Sequence, residues 1–151
     1  MDYLKCKYSI LKSWVFWVPV KVQAKQSTSF GKGHAFVPTE KKKYVKYLHQ
    51  EIAKQYNGKP LTFEVSLHVT YVFKFRKRDK RFEKLGWMPM AQRPDLTNLI
   101  KPVEDAMQGV CFLDDSQVVE TSMKKIRSFE QGVHIILSTV KPRRGGKSSM
   151  K

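Results

Sequence analysis

One stretch of the chain alternates so strictly that the rest must be built around it. Leu61, Phe63, Val65, Leu67, Val69, Tyr71, Phe73 and Phe75 alternate with Thr62, Glu64, Ser66, His68, Thr70 and Lys74, and Val72 alone breaks the polar series. A period of two marks a strand with one face buried, because successive side chains leave a strand on opposite faces. The run predicts one long half-buried strand, or two joined at a bend. His68 falls on its polar face, as a solvent-facing or hydrogen-bonded residue rather than a ligand.

Other elements follow from their own periods. Residues 13–22 (SWVFWVPVKV) are apolar on both faces, which predicts a strand that is central or faces a partner subunit; Trp14, Phe16, Trp17 and Val18 are either core or a dimer interface. His34 to Val37 predict a short strand ended by Pro38. With Thr39 as N-cap, a helix is expected from about Glu40 to Tyr56, because Tyr44, Leu48 and Ile52 recur every four residues. Lys41, Lys42 and Lys43 then lie in its first turn, against the helix dipole, a conflict that a docked phosphate relieves. A second helix is expected over roughly Asn98 to Gln108, with Gly109 just past its end and Pro102 awkward within its first turns. Val118 to Arg127 and Gly132 to Val140 read as a β-hairpin. The order β-β-α-β-α-β-β predicts an α+β fold, with one mixed sheet and two main helices. Residues 1–140 are expected to form one domain, and the basic tail 141–151 to be disordered.

Charge sharpens the functional question. The 151 residues carry 29 Lys and Arg against 13 Asp and Glu, a formal net charge of +16. Such an excess attracts nucleic acid or an anionic membrane. No run of 18 apolar residues is present to span a bilayer, and no secretory leader is recognisable. Two cysteines, Cys6 and Cys111, form neither a disulfide framework nor a zinc site, so a reducing cytoplasm is expected.

Residues 93–117, RPDLTNLIKPVEDAMQGVCFLDDSQ, reverse the sign. Asp95, Glu104, Asp105, Asp114 and Asp115 face only Arg93 and Lys101, so the window sums to −3 and the remainder of the chain to +19. Carboxylate oxygens suit a hard cation, Mg²⁺ or Mn²⁺. Asn98, Lys101, Asp105 and Gln108 recur at three or four residues and share one helix face, whereas Leu99, Val103, Ala106 and Val110 share the apolar one. A metal site requires the segments carrying Asp95 and Asp114–Asp115 to fold back over the polar face. Spacing alone equally allows a turn at Asp95, a plain Lys101–Asp105 pair and an ordinary acidic loop.

The string R-P-D-x-x-N-L-x-K-x-x-x-D-A-x-x-G-x-x-x-x-D-D-x-Q-V at residues 93–118 resembles the core motif of the RusA-type Holliday-junction resolvases. VPVKVQAKQSTSF and GHAFVPTEKKKYVKYLHQEI resemble the family's basic strand-loop, short strand and first helix, and Lys125 matches a recurrent lysine on the following strand. The resemblance covers about residues 18–140. It implies a homodimeric endodeoxyribonuclease, often encoded by phages and prophages, that binds four-way DNA junctions. It also implies that Mg²⁺ or Mn²⁺ supports symmetric cutting, in recombination and repair. By position, Asp95 and Asp115 match metal ligands, Lys101 the catalytic lysine, and Asp105 and Asp114 further acidic positions. One departure stands out: Thr97 replaces a second aspartate. Its hydroxyl can coordinate Mg²⁺ but brings no charge. Asp114 or Asp105 completes the site, or the metal is held more weakly through water, or the protein binds junctions without cutting.

For DNA contacts the expected residues are Lys25 and Lys32 on the 23–33 loop, Lys41, Lys42 and Lys43, the run Arg76, Lys77, Arg78, Lys80 and Arg81, then Arg93 and Lys125. A basic RNA-binding protein is the reading that charge and size also allow, but it leaves the carboxylates without a task.

Overall fold

The computed structural model describes residues 5–25, 29–31, 34–36 and 39–142, with backbone alone for 29–31, 34–36, 39 and 41. The strands are β1 (Tyr8–Val18), β2 (Ser29–Gly31), β3 (His34–Phe36), β4 (Val65–Lys74), β5 (Trp87–Pro89), β6 (Val118–Ser128) and β7 (Gly132–Pro142). The helices are α1 (Thr39–Gln55) and α2 (Leu96–Met107). Strands β1, β7, β4, β6 and β5 form one sheet in that spatial order, and β2 pairs with β3 apart from it. The β4–β6 pair is parallel and the other neighbours are antiparallel, so the fold is the expected α+β arrangement on one mixed sheet. Lys32 and residues 143–151, the greater part of the expected tail, lie outside the described residues, and so does the side chain of Lys41.

The alternating run becomes the centre of the sheet. Its odd-numbered side chains Val65, Leu67, Val69 and Tyr71 are buried in the core, but Ser66 and Val72 on the other face are buried too, so β4 is covered more than half-burial predicts. The strand is also shorter than the alternation. Residues 61–64 leave the sheet, and the Leu61 amide donates to the Cys111 carbonyl at 2.8 Å.

The expected hairpin is absent. β6 and β7 follow each other closely, yet β4 lies between them. Two features explain this. The linking Phe129-Glu130-Gln131 carries none of the Asn-Gly or Asp-Gly chemistry of a tight hairpin turn. Three extended residues reach about 10 Å, which matches the roughly 9.6 Å of two strand spacings. β7 is buried along nearly its whole length, so it needs a neighbour on each side, and β4 supplies one. At the crossing stands Gly132, where a Cβ would lie 2.6 Å from the Val18 carbonyl oxygen and from the Trp17 ring.

β1 is an edge strand, not a central one, and it starts at Tyr8 rather than residue 13. Phe16 and Val18 are fully buried, and Trp14 packs against the core with its ring on Tyr56. These three side chains are therefore core, not interface. α1 adds Tyr44, Leu48 and Ile52 to that core, and α2 adds Leu99, Val103 and Ala106, as the four-residue and apolar-face periods require.

Candidate active site and nucleic-acid interface

α2 begins two residues earlier than expected and keeps Pro102 inside it. Proline has no N–H, so the carbonyl four residues back, that of Asn98, lacks its helical partner. The backbone amide of Lys25 donates to that carbonyl instead. The proline thus creates the acceptor that docks the segment after β1 onto α2, and it brings Lys25 beside the acidic window.

The helix ends as predicted. Gly109, at a φ of 84°, supplies the left-handed residue just past the C-terminus. Its last turn is held further by His49 of α1, whose Nδ1 donates to the Ala106 carbonyl at 3.0 Å.

The loop after α2 explains the order of its polar residues. The Asp114 carboxylate accepts from the Ser116 amide at 2.8 Å and caps the single helical turn 115–117. That hydrogen bond holds the Asp114 carboxyl below the usual range. Gln117 latches the turn to the segment that precedes β4. Its Oε1 accepts from the amides of Leu113 and Asp114, and its Nε2 donates to the carbonyls of Leu61 and Phe63. With Asp114 and Gln117 so engaged, Asp115 is the carboxylate left to reach α2.

It reaches Lys101. The ammonium sits 2.6 Å from Asp115 Oδ2 and 3.1 Å from Asp105 Oδ1. Hydrogen bonds donated to Asp115 first, then to Asp105, push the lysine well above its ordinary value, so it stays charged at any working pH. Glu104 is half-buried beside this group, and burial raises its carboxyl, with Lys101 acting against that and Asp115 and Asp105 reinforcing it. Three carboxylates thus gather around one ammonium. Glu104 belongs to the acidic window but is not among the residues expected to act; its spacing of three from Lys101 is the signal that places it here.

The other end of the helix stands apart. Asp95 occupies the N-cap position with an exposed carboxylate that makes no capping hydrogen bond, and Thr97 is exposed in the first turn. Six residues of helix separate Asp95 from Lys101, a rise of about 9 Å. Among the described residues no three Asp, Glu, His or Cys side chains converge closely enough to hold a metal ion.

The basic residues divide by what they touch. Lys25, Lys42, Lys43, Lys77, Arg78, Lys80, Arg81 and Arg93 are exposed. Arg76 instead clamps the buried Asp79, through Nε at 2.9 Å and a second guanidinium nitrogen at 2.9 Å. Its hydrogen bonds lower the Asp79 carboxyl from 3.8 to about 2. The basic run is accordingly a folded turn (residues 77–82) around one carboxylate, not a bare loop. Lys125 is likewise engaged, donating to the carbonyls of Gln92 and Pro94 at 2.8 Å each, which pins the segment that presents Asp95.

Comparison with known proteins shows the family. A protein-family model described as Endodeoxyribonuclease RusA matches residues 17–138, a span that includes β4, both helices and the whole acidic window. The chain is also 29% identical over 139 residues to the uncharacterized protein YqaN of Bacillus subtilis (strain 168), covering 86% of this chain and 96% of that protein.

Proposed function

We propose, since the chain belongs to the endodeoxyribonuclease RusA family, that it resolves four-way DNA junctions by symmetric, Mg²⁺- or Mn²⁺-dependent hydrolysis of phosphodiesters as a homodimer in the cytoplasm. The observation that carries this reading is the Lys101 ammonium held between Asp105 and Asp115. It is a cation already seated between two hard-oxygen donors, with exposed lysines around it.

Two of the expected donors, Asp105 and Asp115, stand close enough to share one cation. Mg²⁺ typically takes one or two carboxylates and completes its shell with water and phosphate oxygens. Lys101 takes one oxygen from each of Asp105 and Asp115. Asp115 and Asp105 would hold the ion; Asp95 and Thr97, the other expected ligands, lie at the N-terminal end of α2, and the Asp114 carboxylate caps residues 115–117, so this arrangement does not bring them to that pair. Such an ion supplies an activated water and offsets charge on the leaving oxygen. Lys101 adds a fixed positive charge for the phosphate as it gains negative character. Asp105 and Asp115 orient that lysine, and Gln117 and Asp114 hold the loop that delivers Asp115.

A synthetic four-way junction with and without Mg²⁺ tests the proposal. Paired nicks that need the metal support it. Tight junction binding with no cutting under any divalent ion supports the alternative, a junction-binding protein that has lost cleavage through Thr97.

A further inference from the structure

Beside the acidic cluster, α1 and α2 enclose a groove of about 490 Å³, within the size range of small-molecule sites. Its floor is apolar, from Ala24, Val45 and Pro102. Lys42 and Lys46 lie one turn apart on α1 and Lys25 is delivered by the Asn98 contact, so three ammonium groups rim it. On the α2 side the wall is Lys101 and Asp105, which already form an ion pair. Lys25, Lys42 and Lys46 make no ion pair among the described residues, so the groove keeps three positive charges over an apolar floor, and it opens onto the proposed reactive lysine.

Phosphate alone has no use for the floor, and an apolar ligand has none for the rim. A nucleotide uses both. We infer that the groove between α1 and α2 is a subsite for one unstacked DNA nucleotide next to the scissile phosphate, its base on Ala24, Val45 and Pro102 and its phosphates on Lys25, Lys42 and Lys46. The inference rests on the junction-binding reading. A base held there draws the neighbouring phosphate toward Lys101, and bases at the exchange point of a four-way junction are those most easily unstacked. Single-strand sites of other proteins likewise set a basic groove beside a surface that takes the base face, aromatic there and aliphatic here.

The test uses the full-length protein in EDTA, so that binding is read apart from cutting. The probe is a four-way junction with 2-aminopurine at the exchange point, paired with a second junction abasic at that position. Wild type is expected to raise the 2-aminopurine fluorescence on binding and to bind the abasic junction about fivefold or more weakly, the lower range for one base contact. Val45→Trp, which fills the groove, is expected to abolish both the fluorescence rise and the preference. If that variant does not fold, Lys42→Glu/Lys46→Glu at exposed positions is expected to lower the salt dependence, log Kd against log[salt], by about 1.4 to 1.8. Unchanged fluorescence on a junction that wild type binds tightly, or equal affinity for both junctions, overturns the subsite and leaves the nuclease reading standing. No junction binding at all overturns both.

Discussion

Lys101 carries two roles that a single substitution separates. Its ammonium neutralises Asp105 and Asp115, and it would neutralise the phosphate. Lys101→Ala is expected to slow junction cleavage about 100-fold or more, by analogy with the loss of a charge-stabilising group elsewhere, while junction affinity in EDTA stays within a few-fold. Gel-based cleavage and binding assays on one protein preparation read both. Thr97 stands one turn before Lys101 on the same side, so Thr97→Asp is expected to lower the Mg²⁺ concentration needed for half-maximal cutting. The i,i+4 spacing made the Lys101–Asp105 pair legible in advance. The approach of Asp115 was not, because it depends on Gln117 reaching carbonyls 54 and 56 residues away in sequence. Asp79 is a further residue that local patterning could not place. Inside a run of basic side chains it reads as a solvated charge, and only the fold buries it against Arg76. Its carboxyl is lowered from 3.8 to about 2, so the folded state binds fewer protons there than the unfolded chain. Its contribution to stability is fully present above about pH 4 and is lost as pH falls toward 2. Asp79→Asn is expected to destabilise the protein at neutral pH and to flatten the acid limb of a melting-temperature profile. An unchanged acid limb would contradict the assignment.

At the scale of elements, periodicity located β4, α1 and α2 to within a few residues, because each has a buried face with its own repeat. Strand order was not legible. Burial on both faces of β7 and the glycine-poor link before it put β4 between β6 and β7; the link's composition is local, but the burial is not, and the link alone does not say which strand intervenes. Gly132 marks that crossing. Gly132→Ala is expected to cost about 1–3 kcal/mol, as overpacking does in other well-packed cores, measured as a fall in urea midpoint with unchanged slope. α2 makes a second prediction through Pro102. Pro102→Ala restores the amide that Asn98 lacks, and that amide competes with Lys25 for the carbonyl. The Lys25 amide is then expected to exchange with solvent at least tenfold faster, while α2 keeps its protection. Equal exchange in both proteins would show that the docking of the segment after β1 does not depend on the proline.

The whole molecule combines a net charge of +16 with one acidic notch, beside which Lys25, Lys42 and Lys46 line the groove between α1 and α2. If about 6–10 phosphates are engaged, affinity for a junction should fall by roughly 10³–10⁵ between 50 and 200 mM salt; a flat response would remove electrostatics from the account. Two symmetric cuts require two sites related by a two-fold axis. Edge strand β1 leaves Ile10, Leu11 and Val15 more than half exposed, a long apolar edge of the kind that invites pairing. Gln55 covers its backbone only at Trp17. In the proposed reaction the chemistry would turn on Asp115, since it joins the loop to Lys101. The decisive measurement is cleavage of a four-way junction in Mg²⁺ by wild type and by Asp115→Asn. Wild type should cut symmetrically and Asp115→Asn about 100-fold or more slowly, with junction binding retained. Equal cutting by the two proteins would contradict the account.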